Sequence, residues 1–101
     1  MSTDINWTNV IIEFIGTFVF LSIIMNVAFK KHGGILIPIA IGVALMASIW
    51  MFRGDCHLNP AVSFMGWCKG DTPTMTMAAY ILAQFAGAFA AFAIHTYVVK
   101  V

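Results

Sequence analysis

The side chains with most chemistry to offer fall in one stretch of this sequence, Asp55-Cys56-His57-Leu58-Asn59-Pro60-Ala61-Val62. Asn59 and Pro60 are residue types that open a helix: the Asn side chain accepts from an early unpaired N–H, and Pro fits the first helical position without losing a hydrogen bond. From Asn59 to Cys68 the residues are apolar for only about ten positions, too few to cross a bilayer. A half-helix of this kind, aimed into a membrane interior, presents the positive end of its dipole and free amide donors at its tip, where protons and cations are disfavoured. His57 reads as a hydrogen-bonding residue under the loop, not a proton shuttle or metal ligand, because no second ligand stands at a usual metal spacing. No nucleophile beside a base, no paired carboxylates and no phosphate-binding glycine loop occur, so no enzymatic activity, metal or cofactor is expected.

The elements that must hold this stretch are written in hydropathy. With 61% hydrophobic and 9% charged residues and a mean hydropathy of +0.94, the 101-residue chain carries more apolar surface than a soluble core of its size could hide. The expected solvent is a lipid bilayer. A net charge of +1 with no basic stripe speaks against nucleic acid as a partner. Cys56 and Cys68, with no CxxC spacing, read as reduced thiols. Residues 9–29 form an apolar first span, longer than a signal-peptide core and expected to stay attached. Lys30-Lys31-His32-Gly33-Gly34 ends it, and residues 35–52 form a second span with Pro38 in its first turn, where a missing N–H is tolerated. A pore loop over 53–58 and the half-helix over 59–68 follow; irregular backbone at membrane depth is allowed only where it lines a cavity or is buried in protein. The third span covers 73–99, with Thr72 as its N-cap and Pro73 at its first position. The fold class is all-α and multi-pass: three transmembrane helices and one re-entrant half-helix. Ala79, Ala83, Gly87 and Ala91, and Ala40, Ala44 and Ser48, recur every fourth residue and predict close helix packing. Trp7, Trp50 and Trp67 read as interface anchors, the seven methionines as flexible filler, and Thr17 as a hydrogen-bond donor between helices or to backbone. Glu13, a carboxylate inside a span, needs buried partners.

Glu13-Phe14-Ile15-Gly16-Thr17, His57-Leu58-Asn59-Pro60-Ala61-Val62, and Tyr80-Ile81-Leu82-Ala83-Gln84 with Gly87-Ala88 occur in this order and spacing. Together they resemble the N-terminal half of a major intrinsic protein, the aquaporin and aquaglyceroporin family, over nearly the whole chain. The resemblance implies one of the two inverted repeats of that fold, whose half-helices meet tip to tip and conduct water or small polyols in single file. It implies that Asn59 donates its amide to a permeating oxygen, and that Pro60 and Ala61 contact the opposing half-helix. The carbonyls of Asp55, Cys56 and His57 then form an acceptor ladder, and Glu13 and Gln84 support the loop from beneath. Two positions depart from the family pattern: Gly54-Asp55-Cys56 stands where a small Ser/Thr-Gly-Ala run is usual, and Ile41 stands where a filter aromatic is common.

The second repeat is missing, so one chain alone cannot enclose such a pore. Two copies in opposite orientations would rebuild it. On the family orientation Lys30, Lys31 and Lys100 lie on one side and Arg53 and Lys69 on the other, three against two, which enforces neither orientation strongly. The expected function is a passive channel for water or a small neutral solute such as glycerol, formed by a homo-oligomer, either an antiparallel dimer or a tetramer. The competing expectations are a non-conducting membrane scaffold that keeps the fold, and a truncated part of a longer channel.

Overall fold

Asn6 starts the first helix: its Oδ1 accepts from Asn9 N at 3.2 Å, capping α1, Trp7–Val27. The structure, a computed structural model, describes residues 5–27, 34–52 and 56–100; Asp55, Arg53, Lys30 and Lys31 lie outside the described residues. Along α1 only Glu13, Gly16 and Thr17 are buried, one narrow stripe on a helix apolar all round. The second helix, α2, Leu36–Met51, carries Pro38 in its first turn and buries Ala44 and Ser48, one turn apart, as it packs on α1. The short helix α3, Pro60–Lys69, is closed by Gly70 at φ 86°, with Asp71 N bonded back to Gly66 O at 3.0 Å. The last helix, α4, Thr74–Ala93, runs on into a π-helical turn at Ile94–Val98. There His95 Nδ1 meets Asn26 Nδ2 of α1 at 3.3 Å.

Two expectations fail here. The cap of α4 is Pro73, not Thr72, and Pro73 therefore precedes the first helical residue instead of being it. Thr72 is spent elsewhere: its N–H bonds Gly66 O at 3.2 Å, and a Cβ on Gly66 would lie 2.7 Å from Thr72 Oγ1. The turn is pulled onto α3 before α4 begins. Thr17 donates nothing among the described residues; its buried hydroxyl has no partner there, and its Cβ packs where Gly87 crosses.

The two long helices make the main contact. Ala83, Gly87 and Ala91 of α4 are buried at spacing four, and a Cβ on Gly87 would stand 2.6 Å from the Phe14 carbonyl oxygen. Backbone meets backbone at that crossing, which a small-residue stripe allows. The helix α4 also packs against α3.

Burial is inverted relative to a protein that folds in water. Glu13, Ser48, Ser63, Thr76 and Gln84 are inside, while Trp50 (83% exposed), Leu82 and Phe89 stand outside. An exterior so apolar around so polar an interior suits a bilayer as solvent. All regular structure among the described residues is helical. Two helices, Trp7–Val27 and Thr74–Val98, are long and apolar enough to cross a membrane, and Leu36–Met51 is apolar but shorter.

Candidate functional site

Glu13 organises the loop. Its Oε2 accepts from His57 N at 2.7 Å and its Oε1 from Leu58 N at 2.8 Å. Two successive N–H groups can converge on one carboxylate only if the chain leaves extended geometry, and Leu58 does so at φ 58°, the left-handed region. Burial of the Leu58 side chain at 5% exposure against Gly16 offsets the cost; a Cβ on Gly16 would lie 2.6 Å from Leu58 Cδ2. None of the peptide bonds described is cis, so each carbonyl points opposite to the N–H that follows it. Glu13, by drawing in the His57 and Leu58 N–H groups, turns the Cys56 and His57 carbonyls away from itself.

Gln84 completes the support from α4. Its Nε2 donates to Glu13 Oε1 at 3.0 Å and to Ser63 Oγ at 2.9 Å, while its Oε1 is buried without a partner among the described residues. Ser63 Oγ lies 2.8 Å from His57 Nδ1, and the His57 ring meets Tyr80 edge-on at 5.2 Å. Glu13, Ser63 and Gln84 are the largest fully buried side chains of the described residues, so this polar network is the centre of the molecule. A buried network of this kind is favourable only when its members satisfy one another.

Asn59 stands at the exposed end. Its backbone is extended, its Oδ1 accepts from Ala61 N at 2.8 Å, and its backbone carbonyl takes Val62 N and Ser63 N at 3.0 and 3.1 Å. At the tip of α3 the Ala61, Val62 and Ser63 amides are thus all spent, and Pro60 has none to give. Asn59 Nδ2 and the Asn59 backbone N–H are donors with no partner among the described residues. Cys56 is buried, with Sγ 3.9 Å from Ser48 O, and Cys68 is exposed on α3. Ile41 is half-buried on α2, a helix that packs on α1 and not on α3 among the described residues. An open concavity of about 310 Å3, with His57, Asn9, Asp71, Thr72, Thr76 and Tyr80 in its wall, lies at the N-terminal ends of α1 and α4. Among the described residues no three His, Cys, Asp or Glu side chains converge.

Ser63 and Tyr80 are the members that sequence reasoning did not single out as part of the network. A polar residue four positions after Asn59, on the same face of an otherwise apolar helix, was the available signal for Ser63.

The family model for "Major intrinsic protein" matches residues 1–101. Among curated proteins, the glycerol uptake facilitator protein of Streptococcus pneumoniae is 33% identical over 87 residues, 75% of this chain and 37% of its own length. The propanediol uptake facilitator PduF of Salmonella typhimurium is 38% identical over 85 residues, 76% of this chain and 32% of its own length. Aquaglyceroporin-4 of Botryotinia fuckeliana is 42% identical over 52 residues, 50% of this chain and 7% of its own length. The chain thus spans about a third of the length of the first two relatives. No solved structure gives a significant match.

Proposed function

The chain belongs to the major intrinsic protein family, an integral membrane family of channels and facilitators and not of enzymes, and from that premise we propose that it forms one half of a passive channel for a small neutral solute. The solute class is a short polyol such as glycerol or a diol, or water, by analogy with the facilitators it resembles. In this reading residues 9–29, 35–52 and 73–99 cross the bilayer, 53–58 form the pore loop, and the half-helix 59–68 enters and returns on the same side. A second half, from another copy in the opposite orientation or from another polypeptide segment, closes the pore, in a dimer or a tetramer. Pro60 and Ala61 meet its half-helix, the carbonyls of Asp55, Cys56 and His57 form the acceptor ladder, and Asn59 donates where the ladder ends. Ile41 lines the constriction with an aliphatic side chain. Glu13 and Gln84 hold the loop in place.

One observation carries this reading: the Glu13 bonds to His57 N and Leu58 N turn loop carbonyls outward beside an Asn59 amide whose Nδ2 is unspent among the described residues. Acceptors followed by a donor suit a hydroxyl, which gives one hydrogen bond and takes others. The test is stopped-flow light scattering of vesicles holding the purified protein, with glycerol and with water. Faster equilibration than empty vesicles is expected, with Asn59→Asp reduced at equal protein density. Rates equal to those of empty vesicles at high density would leave the chain a scaffold and end the proposal.

A further inference from the structure

We infer that Ser63 is a positioning residue of the pore loop: its buried hydroxyl donates to His57 Nδ1 and so fixes His57 in the tautomer that carries its proton on Nε2. The hydrogen bond stands on geometry alone, and only its effect on permeation rests on the channel reading above.

Among the described residues Ser63 Oγ has two polar neighbours, Gln84 Nε2 at 2.9 Å and His57 Nδ1 at 2.8 Å. The Gln84 group facing it is the NH2 end, and Glu13 settles this from the other side. The same nitrogen lies 3.0 Å from Glu13 Oε1, a carboxylate oxygen that already accepts from Leu58 N and has only acceptor capacity to offer. Ser63 Oγ is thus an acceptor toward Gln84. Its own hydrogen remains, on a residue with no exposed surface, where an unspent O–H is costly. A helical serine can turn back to the carbonyl four residues earlier, but Asn59 O is occupied by Val62 N and Ser63 N at 3.0 and 3.1 Å. That leaves His57 Nδ1 as the acceptor.

An imidazole that accepts at Nδ1 is neutral and donates at Nε2, because the bond made by one ring nitrogen decides the state of the other. Tyr80, edge-on at 78°, holds the ring plane. His57 lines the concavity shared with Asn9, Asp71, Thr72 and Thr76, so a hydroxylated solute there meets a fixed donor on the His57 side. Without Ser63 either nitrogen can carry the proton, and the wall offers a donor in one molecule and an acceptor in the next.

The test is nitrogen NMR of histidine-labelled protein in lipid bilayers, with the His57 signals identified as those lost in His57→Ala. The expected spectrum has a single His57 form, Nδ1 unprotonated and Nε2 protonated. Ser63→Ala, which removes one oxygen and adds no bulk, should move the Nδ1 resonance and let both tautomers appear; Ser63→Thr should restore the single form. Glycerol permeability of the same vesicles should fall about three- to tenfold in Ser63→Ala, the factor one ordinary hydrogen bond carries, and hold in Ser63→Thr. A protonated Nδ1 in the unaltered protein, or an unmoved Nδ1 resonance in Ser63→Ala, overturns the hydrogen bond. A shifted tautomer with unchanged permeability overturns the positioning role. If unaltered vesicles conduct no better than empty ones, the channel reading fails, and the spectra still decide the hydrogen bond.

Discussion

Among the described residues Glu13 accepts three hydrogen bonds, two from consecutive loop amides and one from Gln84, with no exposed surface of its own. Replacing it by Gln keeps the shape but turns one acceptor into a donor facing other donors. Glu13→Gln is therefore expected to cost about 2–4 kcal/mol, as loss of a buried charged acceptor does, and to lower the thermal unfolding midpoint in detergent by several degrees. An unchanged midpoint would show that the loop does not depend on this residue. Glu13 was legible in the sequence because a carboxylate in an apolar span demands partners. Ser63 was not, since serine is tolerated anywhere in a buried helix and its role depends on which face turns to His57 and Gln84. The two thiols also separate by environment: Cys68 is exposed and Cys56 buried beside Ser48 O. A water-soluble maleimide should label Cys68 in the folded protein in detergent and reach Cys56 only after denaturation, as mass spectrometry of the labelled peptides would show.

The helices divide into those whose limits follow from composition and those set by packing. Hydropathy marks apolar stretches at 9–29, 35–52 and 59–68, and small residues at spacing four mark Ala79, Ala83, Gly87 and Ala91, of which the last three are buried on α4 and Ala79 is half-buried. The start of α4 was misplaced by one residue because Thr72, a good cap by type, is drawn into the turn against Gly66. The π-helical turn at Ile94–Val98, which meets Asn26 through His95, has no signature in residue types at all. Glycines give the sharpest contrast between helices. A methyl group on Gly87 would meet the Phe14 carbonyl at 2.6 Å, whereas one on Gly42 of α2 meets nothing within 4 Å. Gly87→Ala is expected to part α1 from α4 and cost about 1–3 kcal/mol. Gly42→Ala should be neutral or stabilising by up to about 1 kcal/mol, since alanine is the better helix former. Thermal midpoints of the two variants, measured side by side, test the crossing; equal shifts would refute it.

Taken whole, the molecule keeps its acid, amides and hydroxyls inside and shows tryptophan, phenylalanine and leucine to its surroundings. That inversion was readable from composition, because 61% hydrophobic residues exceed what a chain of this length can enclose. What composition could not give is that Glu13, Gln84, Ser63 and His57 join in one polar network, a property of how α1, α3, α4 and the loop meet. Gln84 sits in the middle of that network and gives hydrogen at both of its contacts, to Glu13 on one side and Ser63 on the other. A proton hop along a wire needs every link to take one hydrogen as it passes another on, which hydroxyls and waters can do and an amide donating both ways cannot. The acid and the imidazole in the wall of this loop are joined mechanically by Gln84 and insulated from each other by the same side chain.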